Sequence, residues 1–275
     1  MKRKYFASPY VFWIIIFTII PLAMILYYGI TIKNIDGSIA LSFSNLKKVF
    51  EPVYLKAMTR SMIYAGSSTI ICLILAYPLA LILSKNNSSK SSILFLFILP
   101  MWMNFLLRTY AWMSLLETNN GFLNTLLKYI HLPTIQIMNT KYAIILGMVY
   151  NFLPFMVLPI YNVLVKIDKS VLEAASDLGA NSLLRFRKVI LPLSIPGIVS
   201  GISMVFMPAV TSFVIPNLLG GGKINLIGNL IEQQFMQSYN WYFGSSLSLI
   251  LMIIILISMS IVSKFESEDK GVALW

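Results

Sequence analysis

Apolar residues fill six long runs, roughly 11–30, 60–84, 92–115, 142–164, 189–215 and 245–263, with short polar stretches between them. A helix needs about 20 mostly apolar residues to cross the hydrocarbon of a bilayer. The pattern therefore predicts six membrane-spanning helices, all within one transmembrane domain covering 1–275. The fold class is an all-α integral membrane protein. Prolines fall inside or at the ends of these runs, among them Pro21, Pro78, Pro154, Pro159, Pro192 and Pro196. Such prolines suit bent helices around a path, but proline is also commoner in membrane helices generally. Gly197 and Gly201 form a GxxxG step that lets another helix approach closely.

Residues 165–190, between the fourth and fifth runs, are too polar to enter a bilayer. Leu172, Ala175 and Leu178, then Leu183, Phe186 and Ile190, recur at three- and four-residue spacing, which predicts two short amphipathic helices. Gly179 lies between them, where the missing Cβ permits a sharp turn. Ala174 and Ala175 leave room for close approach, and Glu173 and Asp177 suit the positive end of the first helix. Arg185, Arg187 and Lys188 can meet an acidic rim on a partner. By periodicity alone, an ordinary amphipathic helix at the lipid headgroups, its basic residues toward anionic lipid, is the better reading.

Composition agrees with a membrane protein: 58% of the 275 residues are hydrophobic, 11% are charged and mean hydropathy is +0.80. The net charge of +11 is spread over short loops instead of forming a stripe or tail, which argues against nucleic acid. Lys and Arg in short loops set orientation. With six spans, Lys2, Arg3, Lys4, Lys85, Lys90 and the cations of 165–190 share a side with Lys264 and Lys270, which places both termini in the cytoplasm. The single cysteine, Cys72, lies inside a span, so there is no disulfide framework. The sole histidine, His131, stands without clustered acids or cysteines, so metal chemistry and a Ser-His-Asp arrangement are both excluded. Gly220-Gly221-Gly222-Lys223 is not a P-loop, since Asn217 and Ile224 occupy positions that need Gly and Ser or Thr. The chain is therefore not an enzyme.

Glu173-Ala174-Ala175, three further residues, Gly179, then Phe186 and Leu191-Pro192 resemble the cytoplasmic EAA loop of ABC-importer permeases. Trp102-x-Asn104, Leu107 to Trp112, Leu218 to Lys223, Leu226 to Ile231, Gln234-Phe235 and Trp241-x-Phe243-Gly244 are similar to the PotB-type permeases of spermidine/putrescine importers, from the third span to the sixth. The resemblance implies a type I ABC-importer permease fold, six transmembrane helices and cytoplasmic EAA coupling helices. It implies ATPase-coupling roles for Glu173, Ala174, Ala175, Asp177, Gly179 and Phe186. It also implies partners: a PotA-like ATP-binding subunit dimer that holds ATP and Mg, a second PotC-like permease, and an extracytoplasmic PotD-like polyamine-binding protein. No cofactor is implied in this chain. One departure touches the substrate, for the family pattern places an acid just before the Leu-Leu-Gly-Gly run and this chain has Pro216-Asn217.

Carrying a polyamine through a low-dielectric region requires carboxylates, carbonyls or aromatic faces in place of water. Trp102, Tyr110, Trp112, Glu117 and Glu232 are the candidate path residues. Aromatics at span ends also form the ordinary interfacial belt. The expected function is the permease subunit of an ATP-driven importer of spermidine and putrescine in the cell membrane. The alternatives are a permease for another small solute and a membrane scaffold with a lipid-binding basic loop.

Overall fold

The computed structural model describes residues 8–34, 36–85 and 99–270. Lys2-Arg3-Lys4, Lys90 and the opening of the third apolar run lie outside the described residues. In chain order the elements are α1 (Ser8–Ile14), a π turn (Ile15–Ile19), α2 (Ile20–Gly29), β1 (Thr31–Lys33), β2 (Ile39–Leu41), α3 (Ser44–Lys48) and α4 (Pro52–Lys85). There follow α5 (Phe105–Leu116), α6 (Phe122–Tyr129), α7 (Lys141–Leu164), α8 (Lys169–Asp177) and α9 (Ser182–Arg185). A second π turn (Phe186–Ile190) leads to α10 (Leu191–Thr211), α11 (Val214–Leu219), α12 (Ile227–Met236) and α13 (Trp241–Lys270).

Among the described residues, 5 helices are long and apolar enough to cross a membrane: Tyr10–Gly29, Pro52–Lys85, Lys141–Leu164, Ser182–Thr211 and Trp241–Lys264. Each coincides with a predicted run. The third run differs, because the helical residues 99–102 stop at Met103 and α5 begins afresh after Asn104. The Asn104 side chain accepts the Leu106 amide at 2.8 Å, so a polar N-cap inside the apolar run interrupts the span expected over 92–115. The fifth run, expected to reach 215, ends at Thr211, and α11 is a separate short helix. The hairpin β1–β2, with Thr31 opposite Leu41, was not foreseen, since three-residue strands carry too little alternation to register.

The chain forms two compact units. One comprises the residues up to Thr59 together with Ile227–Ile257. Here Ser246 donates to the Gly29 carbonyl at 2.8 Å, tying α13 to the end of α2, and Tyr28 meets Tyr242 edge-on at 5.3 Å. Phe243 is fully buried beneath Tyr54 at 4.9 Å and beneath the Lys48 ammonium, also at 4.9 Å. The most apolar stretch of Tyr10–Gly29 buries 0% of itself against the chain, leaving it free to meet lipid or another subunit.

The other unit comprises Arg60–Leu226 with the residues from Ser258 onward. On α4, Ser61, Ala65, Ser68, Cys72, Ala76 and Ala80 recur every three or four residues and are all buried. A small-residue stripe allows close helix approach where no hydrophobic drive separates helix from lipid. Cys72 Sγ contacts the Val149 carbonyl and Ser68 Oγ contacts Met148 Sδ, both on α7. The GxxxG step finds its partner in the same helix: a Cβ at Gly197 would lie 2.9 Å from the Pro159 carbonyl oxygen, and one at Gly201 would lie 2.6 Å from Met156 Sδ. Close packing of α7 on α10 is the framework from which the 165–190 loop projects.

Candidate functional site

The loop between α7 and α10 is a hook built from local capping chemistry. Asp168 opens α8 by accepting the Ser170 amide at 3.0 Å, and that bond holds its carboxyl below the usual carboxylate range. At the far end the Gly179 amide bonds the Ser176 carbonyl at 2.9 Å and the Ala180 amide bonds the Ala175 carbonyl at 3.0 Å. This is a Schellman closure, and Gly179 carries the left-handed φ of 82° that the motif needs. Asn181 then caps α9 by accepting the Leu184 amide at 2.8 Å. Arg185 Nη1 donates to Ser176 Oγ at 2.7 Å, and Ser176 in turn donates to the Leu172 carbonyl at 2.9 Å. Arg185, read from the sequence as able to meet a partner's acidic rim, also clasps the two arms of the hook.

The second arm is not a separate short helix. α9, the π turn and α10 run as one helix, Ser182–Thr211. Pro192 stands two residues past the π turn, where a proline ring in a regular helix collides with the carbonyl four residues back. The wider turn removes that collision and lets the helix continue.

Glu173, Ala174, Asp177 and Gly179 lie on the exposed surface of the hook, whereas Ala175 and Phe186 are half-buried. Phe186 turns toward the body and meets the Tyr77 ring on α4 at 5.8 Å. Leu178, at the bend, is 89% exposed, and Leu183 on the second arm is exposed as well. Sequence periodicity placed Leu178 on the same stripe as Leu172; the Schellman turn ends the helix at that residue and swings its side chain outward. Beneath the hook is a cavity of about 220 Å³ lined by Leu81, Ser84, Leu164, Leu172 and Ile190, among others.

The candidate path residues are distributed unevenly. Arg108, Thr109 and Leu116 form the buried side of α5, and Trp112 joins it by meeting Tyr150 of α7 edge-on at 5.2 Å. Tyr110 faces away and is exposed, as is Trp102, ahead of the break at Met103. Glu117 is the exposed C-cap of α5. A carboxylate there sits at the negative end of the helix dipole, a placement that costs stability and attracts cations. Its backbone carbonyl is held by the buried Asn124, whose amide nitrogen also bonds the Thr118 and Ile135 carbonyls at 3.0 and 2.9 Å. Sequence reading passed over Asn124, which organises the turn after α5. Glu232 lies on α12 in the other unit. Arg108 is buried, and its Nε and Nη1 have no hydrogen-bond partner among the described residues.

The sequence model for the "Binding-protein-dependent transport system inner membrane component" family matches residues 3–267. The chain belongs to this family. It is 41% identical over 244 residues to the spermidine/putrescine transport system permease protein PotB of Haemophilus influenzae, covering 86% of this chain and 84% of that protein. PotB of Escherichia coli strain K12 is 38% identical over 247 residues, covering 88% of this chain and 90% of the relative. The inner membrane ABC transporter permease protein YdcU of the same organism is 30% identical, covering 83% and 77%. In fold, the permease matches a chain of a bacterial alginate ABC transporter in complex with an alginate pentasaccharide-bound periplasmic protein. That match has a TM-score of 0.79 at 14% identity, over 95% of this chain and 92% of the other. The permease is thus a multi-pass inner-membrane subunit of a binding-protein-dependent transporter.

Proposed function

We propose that this permease is the PotB-type subunit of an ATP-driven importer that moves spermidine and putrescine into the cytoplasm. The observation that carries the reading is the exposed, Schellman-closed hook that leads into the continuous helix Ser182–Thr211, with Leu178 at its tip between the Glu173–Asp177 face and the second arm. An apolar tip beside carboxylates suits a groove on a cytosolic partner, and the family assigns such a partner to an ATPase. Loops on the other side receive the loaded binding protein, and a second permease completes the path. ATP and Mg bind the ATPase; closure of that dimer pushes the hook, the spans reopen outward, and hydrolysis returns them inward. This is a two-state population shift biased by ligands at each face. Both termini and the hook face the cytoplasm in this reading.

The polyamine assignment rests on the relatives' identity and on cation-attracting groups along α5: the Trp112–Tyr150 pair and Glu117 at the helix C-terminus. Trp102, Tyr110 and Glu232 are the further path candidates. A second reading, another small solute, is favoured by Pro216-Asn217, where the family pattern has an acid; Asn217 is exposed on α11. Labelled spermidine uptake into cells lacking polyamine importers, with this chain and its partner subunits expressed and with putrescine or an amino acid as competitor, tests both. Uptake that needs this chain and yields only to polyamines supports the assignment, and its absence with every partner present transfers it to another solute.

A further inference from the structure

Tyr77 of α4 touches the root of the hook at two places. Its hydroxyl lies 2.9 Å from Ser194 Oγ, and its ring meets Phe186 edge-on at 5.8 Å and 84°. Ser194, fully buried, gives its one hydrogen to the Leu191 carbonyl at 2.8 Å, so Tyr77 is the donor in the bond between them. Phe186 and Ser194 are eight residues apart in the chain. In a regular helix that separation leaves two side chains about 80° apart around the axis.

The π turn changes this. The Leu191 amide bonds back five residues to the Phe186 carbonyl, so the turn absorbs one extra residue. Eight residues then advance like seven, which falls only about 20° short of two full turns. Phe186 and Ser194 thereby share the face that Tyr77 meets. The same device occurs in the first span, where the π turn Ile15–Ile19 also ends two residues before a proline, Pro21. There it carries no comparable tyrosine bond among the described contacts, whereas at the hook it is gripped from across the helix pair.

We propose that Tyr77 is a positioning residue for transport: it clamps the π turn at the root of the hook and carries displacement of the hook into α4. The inference rests on the importer reading above, which supplies the displacement. Two features permit the motion. The cavity of about 220 Å³ under the hook leaves α8 unsupported against the ends of α4 and α7. Pro78, the next residue after Tyr77, removes a backbone donor from α4 where it is gripped and so lets that helix bend there. Were the π turn to revert to α, the residues before it would rotate about 100° against the span, and Tyr77 would keep only one of its two partners.

The test uses the complete complex, with ATPase, second permease and loaded binding protein, in proteoliposomes. Tyr77→Phe keeps the ring and loses the bond; Ser194→Ala loses the same bond from the other side. Each lowers solute moved per ATP hydrolysed by about fivefold, the weight of one hydrogen bond, and the double variant falls no further than either single one. Amide exchange over residues 183–194 rises by a similar factor in Tyr77→Phe and stays at the wild-type rate in the control Tyr142→Phe, a change on an exposed ring. An unchanged transport ratio, additive losses in the double variant, or unchanged exchange overturns the clamp. A wild-type complex that hydrolyses ATP without moving polyamine removes the polyamine assignment and not the clamp, which amide exchange then decides by itself.

Discussion

The hook depends on a few residues whose roles are separable. Leu178 makes little contact with its own chain, so Leu178→Glu leaves thermal stability unchanged and abolishes co-purification of the ATPase subunit. Gly179 differs: a Cβ there meets nothing within 4 Å, and the constraint is its φ of 82° alone. Gly179→Val costs about 1–2 kcal/mol of hook stability through backbone strain, while Gly179→Asn costs less because asparagine tolerates the left-handed region. Limited proteolysis at the hook orders the two variants. Asp168 adds a pH dependence. Its carboxyl is held below the usual range by the Ser170 amide, so the cap is complete above that range and is lost as pH falls through the lowered value. A spin label at Ala174 reports fraying of α8 under acid in the wild type, and Asp168→Ala is frayed at every pH.

Elements are held together here by close approach more than by bulk. The α7–α10 pair touches through Gly197 and Gly201, with backbone and sulfur atoms of α7 where a side chain would otherwise be. Gly201→Leu overpacks this contact and costs about 1–3 kcal/mol, read as a lower unfolding temperature of the complex in detergent. The α4 stripe of serines, alanines and Cys72 plays the same part where α4 meets Met148 and Val149 of α7. Both π turns show how a helix absorbs a proline without ending, and the second brings Phe186 and Ser194 onto the face that Tyr77 meets.

At the scale of the whole molecule, transport needs a path for a cation. Glu117→Gln and Trp102→Ala each reduce polyamine-stimulated ATP hydrolysis in the assembled importer; unchanged stimulation in both removes them from the path. Much of this molecule was legible in its sequence. The five spanning helices lie on predicted runs because transfer into hydrocarbon sums over local composition and needs no knowledge of neighbours. The turn at Gly179 was legible too, because a missing Cβ acts within one or two residues. The break at Met103–Asn104 was not, since one cap bond outweighs the apolar run around it. Nor was the continuity of Ser182–Thr211, which depends on how Pro192 is accommodated by a wider turn. The outward swing of Leu178, the inward turn of Trp112 onto Tyr150, and the meeting of Tyr77 with Phe186 and Ser194 are properties of helix faces. Composition decides locally that a segment becomes a membrane helix; which of its faces meets which partner depends on residues up to 217 positions away in the chain, and only the tertiary structure joins them.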